Sequence, residues 1–400
     1  MHSYRQLFRT PEFTPLFLAG SVQVAAQTVA GLGLATLVYS RTGSPLLSSL
    51  ALFGPALAQL LGAATLLSAA DRLPPRAALA GTALFHAAGS AATALPGLPV
   101  PAVFAILLAQ GIVGSVGGGV RYGLLGEILP RGGYLLGRSV LNMAAGACQI
   151  AGFAAGGLLV AVLSPRGAVL AGAALYLAAA LLARLGLTRR APRATGRPSA
   201  ARTWRNNRRL WSSRARRRVY LALWVPNGLI VGCESLFVPY DPERAGLLFA
   251  CGALGMLAGD TIVGRFLPKG LRARLAAPLQ VLLAAPFLCF AGDPGLPWAL
   301  AAVTVSAVGY GASLLYQERL TALVPDELSG HALGLHSSGM LALQGLSAAL
   351  AGAVAQFTSP RTAMVVLALA SLAVTLTLAL TEGPSSGPRR SPRRARQRTA

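Results

Sequence analysis

Glu234 lies in the run Gly232-Cys233-Glu234-Ser235, well inside an apolar stretch that Pro239 and Asp241 close. A carboxylate inside a membrane-spanning helix costs roughly 2.5–3.5 kcal/mol on insertion scales, so its presence there asks for a function. Binding a proton removes the charge, and such a group can alternate between charged and neutral as a proton carrier. A structural hydrogen bond or a gate at the end of the span is the competing role. Asp260 and Glu318 sit nearer the ends of their apolar stretches and suit a gate or a structural contact, Asp260 with Arg265 or Arg319 within reach as partners. Arg121, also near the end of a stretch, is either an anion contact or an interfacial charge.

Neutral polar residues recur inside other apolar stretches: Gln23, Gln27, Gln110, Asn142, Gln149, Asn227 and Gln344. Each is a candidate to line a substrate cavity or to bond one helix to another. Gln23 and Gln27 are four apart and share a helix face. His86, His331 and His336 are further possible proton sites. H-E-x-x-H, a P-loop, a credible G-x-S-x-G and paired carboxylates beside a histidine are all missing, so neither a membrane-embedded enzyme nor an ATP-driven pump is expected. Cys148, Cys233, Cys251 and Cys289 fall in apolar stretches at unrelated spacings, which indicates buried small side chains rather than a disulfide or metal framework. No metal or cofactor is expected.

The elements that must position these groups follow from composition. Apolar residues make up 54% of the 400 and charged residues 12%, against about 25% charged in a soluble domain. About 20 helical residues cross the hydrocarbon core. The sequence predicts twelve such spans, at 14–38, 45–69, 77–96, 100–121, 138–162, 167–187, 219–240, 245–266, 273–291, 296–317, 333–356 and 361–381. Breakers mark their ends, among them Thr42-Gly43-Ser44-Pro45, Leu73-Pro74-Pro75, Ser164-Pro165 and Ser359-Pro360.

The net charge of +23 is ordered. Lys269 is the only lysine among 35 basic residues, and the bases cluster in every second gap between spans. With the N-terminus in the cytoplasm, 31 of them fall inside, leaving only Arg41, Arg166, Arg244 and Arg361 outside. The positive-inside rule therefore sets both termini in the cytoplasm. Thirteen arginines between 184 and 218, and six more between 389 and 398, suit anionic lipid headgroups without any nucleic acid.

The chain also repeats itself. At an offset of 195, Pro130 meets Pro325, Gln149 meets Gln344, Gly157 meets Gly352, and Ser164-Pro165-Arg166 meets Ser359-Pro360-Arg361. At 193, Gly62 meets Gly255, Arg72 meets Arg265, and Pro75-Arg76 meets Pro268-Lys269. Equivalent points are six spans apart, so the halves run parallel, as in one established transporter plan. The expected organisation is an N-terminal six-helix half (1–187), an Arg-rich cytoplasmic linker (188–218), a C-terminal six-helix half (219–382) and a basic tail (383–400). Gln149 and Gln344 are then expected to approach the pseudo-axis from opposite sides.

This architecture resembles the major facilitator superfamily. Tyr4-Arg5-x-Leu7-Phe8-Arg9, Leu37-Val38-Tyr39-x-x-Thr42-Gly43-Ser44-Pro45 and Glu127-Ile128-Leu129-Pro130 resemble the bacterial branch of drug, macrolide and siderophore exporters. The superfamily's loop motif, roughly G-x-L-A-D-R-x-G-R-[RK], keeps Asp71, Arg72 and Arg76 here, while Leu67 and Pro74 replace its glycines. Arg265 and Lys269 are their repeat counterparts. Charges at helix ends can pair to lock one face and part on rocking. Gly152-Phe153-Ala154-Ala155-Gly156-Gly157 matches the glycines but not the proline of the antiporter motif G-P-x-x-G-G; close packing alone also explains those glycines. The resemblance implies an all-α polytopic membrane protein of the major facilitator fold in a bacterial inner membrane. It implies proton-coupled efflux of small amphiphilic molecules by a monomer, with an importer, a uniporter or a lipid flippase on the same fold as alternatives. A membrane scaffold or sensor is the more distant reading.

Overall fold

The computed structural model describes residues 4–70, 73–129, 133–192, 200–325 and 328–381. No strand occurs among them. After a short α1 (Tyr4–Phe8) come α2 (Phe13–Thr42), α3 (Pro45–Ala70), α4 (Pro75–Thr93), α5 (Val100–Ile128), α6 (Tyr134–Val162) and α7 (Pro165–Gly186). Proline at the first position of α3, α4 and α7 supplies a helical φ where no amide bond is lost. Gly43 ends α2 with φ +61°, its N–H donating to the Tyr39 carbonyl at 2.8 Å, a left-handed cap that glycine adopts without strain.

The linker itself contains α8 (Ala200–Trp211). α9 (Arg214–Glu234) starts five residues before the expected span, and α10 (Phe237–Tyr240), α11 (Ala245–Thr261), α12 (Lys269–Ala284), α13 (Leu296–Val308), α14 (Ala312–Leu323), α15 (Ser329–Phe357) and α16 (Pro360–Thr381) follow it. A π turn at Ile262–Phe266 prolongs α11, a 3-10 stretch at Ala285–Gly292 prolongs α12, and a 3-10 turn at Gly309–Gly311 joins α13 to α14. Eleven helical segments among the described residues are long and apolar enough to cross a membrane. The remaining expected span is α4, 19 residues long, which packs against α7 and α5. Its lower hydropathy has a local cause: Thr82, His86, Ser90 and Thr93 turn inward rather than toward lipid.

Three large clusters of buried side chains organise the interior. One, from Leu7 to Leu187, belongs to the N-terminal half alone; another, from Leu210 to Ala332, belongs to the C-terminal half and α8. Both lie toward the end of the bundle that bears the linker. The third joins Leu32–Val38, Ala51 and Phe153 of one half to Ile230–Val238, Phe249 and Met364 of the other, at the opposite end. The halves thus share a core at the far face and keep separate cores at the linker face. Two crossings close the far face. Gly157 on α6 meets Gly246 on α11, and its repeat equivalent Gly352 on α15 meets Leu46 on α3. A Cβ on Gly157 would stand 2.7 Å from the Gly246 Cα. Small residues at such crossings let backbones touch. Tyr39 donates to the Pro239 carbonyl at 3.3 Å, Ser49 to the Ser235 carbonyl at 3.2 Å, and Ser44 to Gln356 Oε1 at 2.7 Å.

Candidate functional site

Glu234 is the last residue of α9, where the span breaks before α10. Ser235, the next residue, turns its hydroxyl back onto the Gly232 carbonyl at 2.7 Å and meets Ser49 of the other half. The Glu234 carboxylate faces a second break. Tyr310, in the 3-10 turn Gly309–Gly311, donates its hydroxyl to Glu234 Oε1 at 3.0 Å. Glycine is required beside it, because a Cβ on Gly309 would run into the α12 backbone at Leu279 and Leu283. No cation pairs with Glu234 among the described residues, so Tyr310 is its polar partner there.

The pair borders a cavity of about 30 Å³, room for a water molecule or two. Both halves line it: Gln149 and Phe153 from α6, and Glu234, Phe249, Met256 and Tyr310 from the C-terminal half. Phe153 stacks on Phe249 with ring centres 4.5 Å apart, directly under the Gly157–Gly246 crossing. The carboxylate therefore stands at the seam between the halves, adjoining the contacts that close the far face.

The other expected cavity residues divide between two arrangements. Gln23, Gln27 and Gln110 line a second cavity inside the N-terminal half, with His86 and Tyr176. Gln110 donates to the His86 carbonyl at 3.0 Å, and Gln23 accepts from Arg121 at 3.4 Å. Arg121 lies against Gly20, half-buried, rather than at the solvent edge. Asn142, Asn227 and Gln344 instead bond within their own halves. Asn142 accepts from the Tyr122 hydroxyl at 2.9 Å, and Gln344 donates to Asn227 at 3.2 Å. Gln344 thus faces α9 while its repeat equivalent Gln149 reaches the seam.

Of the remaining candidates, Asp71 and Arg72 lie outside the described residues. Arg76 opens α4 and is half-buried. Asp260 and Arg265 are both exposed near the linker end of α11 and its π turn and form no ion pair with each other; Lys269 opens α12. Glu318 pairs with Arg272 at 3.2 Å. A different charged junction forms at this face: Arg190 bridges Glu12 and Glu127, at 3.2 Å to each. His331 bonds Asn207 of α8 at 2.7 Å, and His336 meets the Trp224 indole N–H at 3.3 Å.

Tyr310, Gln59, Tyr176 and the Phe153–Phe249 stack escape the sequence reading. Glycines on both sides of Tyr310 are the one local sign of a break in that span.

Two parallel helical halves that share a core at one face and keep separate cores at the other, with a carboxylate at their seam, are the frame of a membrane transporter. The Major Facilitator Superfamily model matches residues 16–315, and the chain belongs to that superfamily. No curated protein matches the chain in sequence. Solved structures share its fold. A POT family transporter in complex with 5-aminolevulinic acid superposes with a TM-score of 0.72 at 11% identity, covering 92% of this chain and 95% of its own. The nucleoside transporter NupG gives 0.73 at 14%, covering 93% and 100%. A bacterial homologue of the human lysosomal transporter Spinster, inward-facing and unoccupied, gives 0.67 at 13%, covering 95% and 96%.

Proposed function

We propose that this chain is a proton-coupled secondary transporter that exports small amphiphilic molecules by alternating access, with Glu234 as its proton site. The observation that carries this reading is the Glu234–Tyr310 pair at a cavity shared by both halves. A charge there is costly without a cation, and a proton abolishes it. Ser235 links the same helix break to Ser49 across the seam, so a change at Glu234 reaches the far-face closure through one residue. Occupancy of Glu234 then biases two discrete arrangements of the halves, as a coupling ion must.

The arginine distribution supports a cytoplasmic linker face in a bacterial inner membrane, with α8 and the basic tail against anionic headgroups. On that orientation the two separate cores lie on the cytoplasmic side and the shared core on the far side. The resemblance of the 4–9, 37–45 and 127–130 segments to those of drug, macrolide and siderophore exporters supports the outward direction.

The test uses a host lacking its main efflux pumps, expressing wild type or Glu234→Gln at equal levels. Accumulation of dyes, antibiotics and siderophores is measured with and without a protonophore. Lowered accumulation that both the substitution and uncoupling abolish is the expected result. Export by Glu234→Gln at the wild-type rate would move the proton site elsewhere, and raised accumulation in wild type would reverse the direction.

A further inference from the structure

The second cavity, of about 100 Å³, belongs to one half only. All its lining residues come from α2, α3, α4, α5 and α7, and none is Asp, Glu, Lys or Arg. His86 Nδ1 lies 2.7 Å from the Thr82 carbonyl oxygen. A carbonyl only accepts, so Nδ1 carries the proton and Nε2 of the neutral ring is left as an acceptor. The point a Cβ would occupy on Gly114 is 3.5 Å from His86 Nε2 and 3.7 Å from Gln59 Nε2. Glycine at 114 therefore leaves open the spot where an acceptor and an amide donor converge. Gln110 is engaged with the His86 carbonyl and with Ser90. Gln27 and Gln59 have no hydrogen bond within the protein among the described residues, and Gln27 is exposed.

We propose that this cavity is a subsite for one uncharged hydrogen-bonding group of the transported molecule, a hydroxyl or a primary carboxamide. Such a group donates to His86 Nε2 and accepts from the Gln59 amide in one place. A cation finds no carboxylate there, and the nearest arginine, Arg121, is turned to the far side of Gln23 and does not line the cavity, so a charged group loses its hydration without a direct partner. The volume sets the size: a whole drug-sized ligand needs about 300–1,000 Å³, so only a head group enters. The inference rests on the transporter reading for its ligand, and on the cavity alone for its selectivity. Because the subsite is confined to one half, rocking leaves its contacts intact. It holds the ligand equally in both arrangements and does not drive the change between them.

Gly114→Cys tests the cavity without a known substrate, because a cysteine Cβ there meets its neighbours at ordinary contact distance. The purified full-length variant in nanodiscs is treated separately with three methanethiosulfonates, bearing a 2-hydroxyethyl, a trimethylammonium-ethyl or a sulfonatoethyl group. Peptide mass spectrometry follows labelling at 114 apart from the four native cysteines, and each rate is normalised to that of an exposed cysteine. The hydroxyethyl reagent is expected to react at least about tenfold faster than either charged one. Ser90→Cys, a near-isosteric change on the same wall, should give the same order. Faster labelling by a charged reagent, or none by any reagent at both positions, overturns the proposal. These rates do not depend on Glu234, so failure here is separable from failure of proton-coupled export.

Discussion

Adding a single methyl group at Gly157 should open the far face. In Gly157→Ala the new Cβ stands 2.7 Å from the Gly246 Cα and 3.3 Å from its carbonyl carbon. Carbon atoms in contact prefer about 3.5–4.0 Å, so α6 and α11 must separate by about 1 Å or strain their surroundings. Overpacking of this kind costs about 1–3 kcal/mol. The cost falls only on the arrangement in which the crossing is closed. The equilibrium should therefore shift about 5- to 150-fold toward a far-face-open state, since 1.4 kcal/mol is a factor of ten. Spin labels at 166 and 243, both exposed at the far face on opposite halves, report the separation by pulsed electron paramagnetic resonance in nanodiscs, with the native cysteines replaced. The short-distance population should fall and a longer one appear. Gly146→Ala on the same helix is the control, because its Cβ would meet nothing within 4 Å. Identical distributions for Gly157→Ala and wild type would refute the idea that this crossing is the closure that parts.

Tyr310→Phe keeps the ring but removes the donor to Glu234, and should slow proton-driven export about tenfold or more at unchanged expression, given the strength of hydrogen bonds to charged groups. Arg190→Ala should lower Tm more than Glu127→Ala: Glu12 is only 10% exposed and its Oε2 already lacks a partner, whereas the Glu127 side chain is 34% exposed. Losing the cation then costs about 1–3 kcal/mol at Glu12 and under about 1 kcal/mol at Glu127, which dye-monitored thermal unfolding can rank. Trp211 stacks on Trp224 and Tyr220, with ring centres 5.6 and 5.8 Å apart. Trp211→Ala should loosen α8 and speed tryptic cleavage between 205 and 218 several-fold, from about 0.5–1.5 kcal/mol of lost ring contact.

The helical plan is legible because a bilayer demands long apolar runs and leaves breakers between them; even α4, the least apolar span, lies where the pattern puts it. Glu234 is legible for the same reason, as a charge where charge is costly. Its partner is not. A tyrosine in a span looks like any aromatic filler, and 76 residues separate Tyr310 from Glu234. Gln344 shows the limit of repeat symmetry: its register matches Gln149, yet Asn227 is close enough to capture its amide, and only three-dimensional packing decides between partner and cavity. Gly157 and Gly352 do keep equivalent work, each at a crossing between the halves, because backbone approach depends on the absence of a side chain and not on its neighbours' chemistry. The neutral pocket is the least legible feature. Its polar groups are scattered over five helices, and each alone reads as a helix–helix hydrogen bond.

Proton coupling through Glu234 is tested most directly by proton flux. Vesicles containing wild type or Glu234→Gln are given a pH gradient, and the compound whose accumulation wild type lowers most in cells is then added. Wild type should dissipate the gradient on addition while Glu234→Gln leaves it standing. Equal dissipation by both proteins, or by neither, would contradict a proton site at Glu234.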